Sequence, residues 1–267
     1  MKKILPLIST LIIFAFMAVS CLSTTTSGGE VGADRNQLML ISSETVELSS
    51  KQSYEQVLAE AKSKGILNKN ASTTKRVQTI ANKIINETKV YRTDALNWNW
   101  QINVITDSEI NAWCLPGGRI VVYTGIIDTL KLTDSELAAV LGHEISHALR
   151  EHSREQLSRQ TLTEIGAYAV SSIFNMNQSG SELVSLCSDL IITLPFSRSQ
   201  ETEADNMGTE LMARAGYDPY DAVKVWQKMN KLTTNSTPEI LSTHPSNQSR
   251  IQNLNQVAAK VYPLYKK

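Results

Sequence analysis

Histidine is scarce in this chain: four residues among 267, against 26 Lys and Arg and 26 Asp and Glu. The zero formal charge leaves no excess basic face for a phosphate backbone, so no nucleic-acid partner is expected. Three cysteines, Cys21, Cys114 and Cys187, are too few for a disulfide framework. Cys114 and Cys187 are expected as free buried thiols. There is no fixed-period repeat and no long low-complexity tract, which excludes solenoids and fibrous classes. With 42% hydrophobic residues the chain has enough apolar surface for one sizeable core or two small domains.

Long apolar runs are also missing, except at the start. Met1-Lys2-Lys3 is a short basic segment, and Leu5 to Val19 is an apolar stretch of signal-peptide length. "AVSC", Ala18 to Cys21, follows and resembles a bacterial lipoprotein box, although Ala18 stands where Leu is usual. This predicts a signal peptide over 1–20, lipidation of Cys21, and a flexible tether and lead-in over 21–48. Ordinary signal-peptidase cleavage nearby and a retained anchor are the alternatives. The expected location is the periplasmic side of a bacterial envelope, at the outer membrane, with the lipid on Cys21 as the membrane contact.

From residue 49 to 267 the pattern is that of one domain. Val77, Ile80, Ala81, Ile84 and Ile85 recur at helical spacing, and "SYEQVLAEAKSKG" reads as a helix stopped by Gly65. Trp98 to Thr106 alternates as a strand does. "INAWCLPGGRIVVYTG" reads as two strands about a Pro116-Gly117-Gly118 turn. Helices are expected over most of the remainder, including a long helical region from about Ser153 to Leu194. The fold class is α+β, mainly helical, with a small sheet before the histidine helix.

Three of the four histidines lie in "LAAVLGHEISHALREH", opened by the capping box Thr133-Asp134-Ser135-Glu136. Positions i and i+4 of a helix share a face, so His143 and His147 can hold one metal ion, and Glu144 beside them can reach a water at that ion. This is the HExxH arrangement of zinc hydrolases, in which the Glu acts as general base. Chance matches to so short a motif occur. Burying these groups in an apolar helix is costly, however, unless something pairs them, and a metal does. His152, five residues beyond His147, falls off that face on a continuing helix and is read as structural or as an orienting partner.

Catalytic zinc takes three protein ligands and keeps one position open. "ETEAD" offers Glu201 and Asp205 on one helical face, with Glu203 roughly opposite. Glu201 as third ligand, with Asp205 orienting a ligand histidine, uses both. A solvated acidic face is the plainer alternative. Arg198 and Arg250 can pair with Asp205 or with substrate, or form surface salt bridges.

Taken together, "HEISH", "SRSQETEADNMG" and "THPSNQSRI", with "NAWCLPGGRIVVYTGII" upstream, resemble the HtpX and CAAX-prenyl-protease family of zinc metallopeptidases, especially its soluble exported branch. The likeness runs from about Asn70 to Leu254. It implies a zincin-like fold, one zinc per chain on His143, His147 and Glu201, Glu144 as the catalytic base, and Asp205 as the family's second acidic residue. It further implies protein or peptide substrates, in this branch damaged or misassembled envelope proteins. These would add to a strand edge, with Asn111 to Leu115 (Asn111, Ala112 and Trp113 foremost) and Arg119 to Tyr123 as candidates. In that branch the residue matching His244 lies near the zinc. Two roles follow: a self-inhibitory fourth ligand, or a donor to the developing oxyanion. A surface-loop histidine before Pro245 is the structural alternative. An assembly factor with a latched site and little proteolysis is the functional one.

Overall fold

The computed structural model describes residues 22–168, 187, 188, 190–232, 238–244 and 248–265. Cys21 and the leader, and most of the expected helical stretch after Tyr168, lie outside the described residues.

The described residues open with two short antiparallel strands, β1 (Leu22–Ser23) and β2 (Gln37–Leu38). Helices α1 (Ser43–Ser63) and α2 (Ala71–Ile85) follow. Strands β3 (Gln101–Ile105), β4 (Ala112–Leu115) and β5 (Arg119–Tyr123) form a sheet of order β3-β5-β4, parallel between β3 and β5 and antiparallel between β4 and β5. Then come α3 (Thr124–Leu130), α4 (Asp134–Leu149), α5 (His152–Tyr168), α6 (Arg198–Arg214), α7 (Asp221–Met229), α8 (Glu239–Thr243) and α9 (Gln248–Tyr265).

This is the expected α+β architecture, and the Gly117-Gly118 turn with positive φ joins β4 to β5 as the sequence predicts. One expected substrate strand is corrected. Arg119–Tyr123 is the central strand, paired on both sides, and has no free edge.

α1 starts about ten residues earlier than its apolar spacing suggests. Ser42 caps it by accepting from the Thr45 N–H, and its first turns bury three serines with a single aliphatic, Val46. Ser49, Ser50 and Ser53 return their hydroxyls to the carbonyls of Thr45, Val46 and Ser49, which satisfies them inside the core.

The segment expected as a tether and lead-in is also corrected: from Thr24 to Ile41 it is pinned to the body. Ala33, Gln37, Met39 and Ile41 are buried. The Ser27 N–H donates to the Tyr91 carbonyl, and the Glu30 N–H to the Glu210 carboxylate.

α4 runs through the middle of the molecule, with every residue from Glu136 to Leu149 buried. One face of the sheet, α2, α6 and α7 pack around it in the larger core. The other sheet face packs on α1 and on Cys187 and Ile191. Cys114 and Cys187 are free and buried, as expected.

Candidate metal centre

Both halves of the capping box at the start of α4 form, Thr133 with the Glu136 N–H and the Glu136 carboxylate with the Thr133 N–H. That fixes the helix start and hence the direction in which His143, Glu144 and His147 project. α6 carries a second such box, Ser197 with Gln200, four residues before Glu201. The two helices cross at glycines. A β-carbon on Gly142 would lie 2.7 Å from the Gly208 carbonyl oxygen, closer than real side chains approach. This backbone contact brings Glu201 and Asp205 within reach of the histidines.

The Nε2 atoms of His143 and His147 are 3.1 Å apart. His143 Nε2 lies 3.2 Å from His244 Nδ1 and 3.6 Å from Glu201 Oε2. Glu201 Oε1 lies 3.5 Å from His147 Nε2 and 3.0 Å from His244 Nδ1. His143, His147, Glu201 and His244 thus present one ligand atom each within 4.8 Å of one another, all buried.

The donor set fits a divalent cation. His143 Nδ1 is 3.0 Å from Asp205 Oδ1, and His147 Nδ1 is 2.9 Å from His152 Nδ1, so the ring protons are engaged on the far sides. Two Nε2 lone pairs are left facing each other. Zinc–nitrogen bonds of about 2.0–2.1 Å in a tetrahedron put ligand atoms about 3.3–3.4 Å apart, and the observed spacings bracket that value.

Around this cluster the charges are paired. Arg250 donates to both oxygens of Asp205 at 2.8 and 2.7 Å, stands 2.5 Å from Glu201 Oε2, and lies 3.6 Å over the Trp226 ring. Burial raises the Asp205 carboxyl, but Arg250 and His143 outweigh it and hold it below the ordinary range. Burial likewise pushes the His147 imidazole far down, keeping it neutral as a ligand must be. Burial would lower His244 too, but Glu144 and Glu201 outweigh it and raise its pKa. Glu144 is 2% exposed and its pKa is raised, first by burial, with His244 Nε2 3.7 Å from its Oε1.

His152 takes its place because the helix does not continue. α4 ends at Leu149, Glu151 adopts φ +50°, and α5 starts at His152, which swings its ring back onto His147. Glu203, read from spacing as pointing away from Glu201, accepts from His152 Nε2 at 3.0 Å. No periodicity announces that link. A polar residue buried by a helix break carries no local signal.

β4 is the edge strand beside the cluster. The Tyr123 N–H donates to the Asn111 carbonyl at 3.1 Å, which fixes the alternation. Asn111 and Trp113 therefore turn their backbone groups towards β5, whereas Ala112 and Cys114 point theirs outward. The Ala112 N–H meets the Asn111 side chain at 2.9 Å, and the Trp113 ring packs edge-on against Tyr54. The free edge thus belongs to Ala112 and Cys114, rather than to all three residues named from the sequence.

Cys114 shares a small cavity with Ile191, Ile192, Phe196 and Thr243, and the Phe196 ring is stacked 4.0 Å from the ring of His147. The two cavities touching the cluster are each about 20 Å³. Each has room for one water molecule and not for a peptide.

The model of peptidase family M48 matches residues 71–258, about 70% of the chain. The chain belongs to peptidase family M48. It carries that family's zinc metallopeptidase domain, with the ligand cluster inside the matched region.

Among named relatives, the mitochondrial metalloendopeptidase OMA1 of Arabidopsis thaliana is 39% identical over 158 residues, covering 59% of this chain and 31% of that protein. The bovine mitochondrial metalloendopeptidase OMA1 is 30% identical over 235 residues, 84% of this chain and 44% of that protein. The beta-barrel assembly-enhancing protease of Escherichia coli O157:H7 is 30% identical over 171 residues, 60% of this chain and 35% of that protein. The matched region spans less than half the length of each.

Proposed function

We propose that this protein is a zinc-dependent endopeptidase of the bacterial cell envelope, acting on unfolded or misassembled proteins. The carrying observation is the convergence of His143 Nε2, His147 Nε2 and Glu201 on one point, with Glu144 beside them on α4. In this reading those three side chains hold the ion, and when bound the zinc polarises the scissile carbonyl and the attacking water. Glu144 takes the proton from that water and passes it on to the leaving amine. Asp205 and Arg250 orient His143. The backbone of Ala112 and Cys114 pairs with an extended substrate, which supplies affinity with modest side-chain selectivity.

The envelope location and the Cys21 lipid rest on the leader and the "AVSC" stretch. A bacterial relative named for β-barrel assembly supports the envelope location, and the lipid rests on the sequence alone. Among the described residues no helix is long and apolar enough to cross a membrane.

A second reading has its own support. His244 stands where a water or substrate oxygen would enter, and the surrounding cavities admit no peptide. An envelope assembly factor with a latched zinc site and little proteolysis would have this resting geometry.

One experiment separates the two. Wild type and Glu144→Gln are assayed for zinc content and casein cleavage, with and without chelator. One zinc in both and cleavage only by chelator-free wild type supports the peptidase. Zinc in both with cleavage in neither supports the latched binder, and zinc in neither sinks both.

A further inference from the structure

The two metal-site histidines are oriented by different devices. His143 donates its Nδ1 proton directly to Asp205, which Arg250 clamps. Among the described residues His147 has no carboxylate at its Nδ1. It meets His152 Nδ1 at 2.9 Å, and His152 Nε2 in turn lies 3.0 Å from Glu203 Oε2. One nitrogen–nitrogen contact holds one proton. With the His147 Nε2 lone pair turned to the cluster, its proton sits on Nδ1 and is donated to His152. That leaves the His152 proton on Nε2, donated to Glu203. A single carboxylate thereby sets the tautomers of two rings.

Glu203 is itself held from the N-terminal segment. Arg35 Nε lies 2.6 Å from Glu203 Oε1, and an Arg35 terminal nitrogen donates to Oε2 at 2.9 Å. Arg35 also grips Glu155 through both terminal nitrogens at 2.7 and 2.8 Å. Arg150 reaches Glu203 Oε1 at 3.3 Å and donates to the hydroxyls of Thr24 and Thr26 and to the Arg35 carbonyl. Gln37 closes the loop, donating to the Arg150 carbonyl at 2.7 Å and to Glu155 at 3.1 Å. The segment adds only a two-residue strand pair of its own. Its attachment here is polar and converges on the corner between α4 and α5.

We infer that the segment Thr24–Gln37, through Arg35, Glu203 and His152, is a positioning element for the metal ligand His147. The inference rests on the zinc-site reading above. Loss of Arg35 leaves Glu203 held by the longer Arg150 contact alone, so the acceptor of His152 is less firmly fixed, and with it the His147 proton that aims Nε2 at the ion. His152 and Glu203 are positioning residues, since neither reaches the cluster itself. The structural element beside the expected anchor would thereby set how firmly the metal is held.

The test uses the full chain, with zinc affinity read by competition against a chromophoric chelator and ligand geometry read from the visible spectrum of the cobalt-substituted protein. His152→Ala and Glu203→Ala should each weaken zinc about 10–100-fold, the range for partners that orient metal ligands. The double variant should be little worse than either alone, because both break one relay. Arg35→Ala should shift affinity in the same direction by less, with an altered cobalt spectrum. His152→Gln, whose amide can accept from His147 and donate to Glu203, should recover most of the affinity.

A merely structural role would lower the melting temperature of the metal-free Arg35→Ala protein yet leave zinc affinity and cobalt spectrum at wild type. That result overturns the inference and spares the zinc site. A wild-type chain that binds no zinc overturns both. Should His152→Ala fail to fold, Arg35→Ala (side chain 31% exposed) and His152→Gln decide the matter on the same readouts.

Discussion

A β-carbon on Gly208 would stand 2.6 Å from the backbone nitrogen of His143 and 2.7 Å from the carbonyl carbon of Gly142. The obstacle on both sides is backbone, so no side-chain rotation relieves it. Gly208→Ala should push α4 and α6 apart. The expected cost is about 1–3 kcal/mol, as for other overpacked cores, together with weaker zinc binding because Glu201 and Asp205 move with α6. Melting of the metal-free protein and zinc competition measure the two effects. Wild-type values in both would show that the crossing yields easily.

Asp205→Asn keeps the shape of the side chain and removes its charge. Arg250 loses one of its two carboxylate partners and keeps Glu201, and His143 loses the carboxylate that holds the Nδ1 proton. Zinc affinity should fall about 10–100-fold with the fold intact. An unchanged affinity with unchanged circular dichroism would mean that an amide orients the ring as well as a carboxylate does.

His244→Ala should raise casein cleavage and leave zinc bound, because His244 Nδ1 stands among the ligand atoms at 3.0 and 3.2 Å from Glu201 and His143. A fall in cleavage with zinc retained would assign His244 instead to the oxyanion. No change would remove it from both roles.

Acid should destabilise the protein partly through Glu155. Burial pushes its carboxyl up from the ordinary 4.5, but hydrogen bonds from Arg35, Gln37 and Arg159 outweigh it and hold the group well below that value. A folded pKa below the unfolded one means that the unfolded chain binds more protons as pH falls. The stabilisation is therefore complete above about pH 5 and is lost progressively below about pH 4.5. Glu155→Gln should lower the melting temperature of the metal-free protein at pH 7 by about 5 °C and flatten its decline in acid. Parallel melting curves for the two proteins from neutral pH to about pH 3 would remove Glu155 from the acid response.

His143, Glu144 and His147 were legible because they share one helix whose start a capping box marks, and because ionisable groups in an apolar run demand a partner. Glu201 and Asp205 were legible from i,i+4 spacing. The roles of Glu203 and His152 were not. They depend on the helix break at Glu151 and on a segment more than a hundred residues upstream, and hydrogen bonds between such distant polar side chains leave no periodic trace. The same holds for Thr24–Ile41, whose Thr, Ser and Gly composition reads as solvated chain until Arg150 and Glu155 are seen to be buried beneath it. The crossing of α4 and α6 was hidden for another reason. A glycine inside a helix reads as a weakness, and only the facing glycine shows its purpose. Element order, the β4–β5 hairpin and the helical core needed no such distant partner and came directly from apolar spacing and turns.

The buried place of His244 has a consequence for substrate choice. If it occupies the fourth position at rest, every substrate carbonyl competes with a rival tethered to the same chain, whose effective concentration is on the order of millimolar. Short peptides, held at few points, would lose that contest and be cut slowly even where their sequence suits the site. Long unfolded chains can bind along β4 while they wait for the imidazole to leave, so they gain residence time without gaining affinity at the scissile bond. Selectivity would then be for the length and persistence of an extended segment rather than for a residue at the cut.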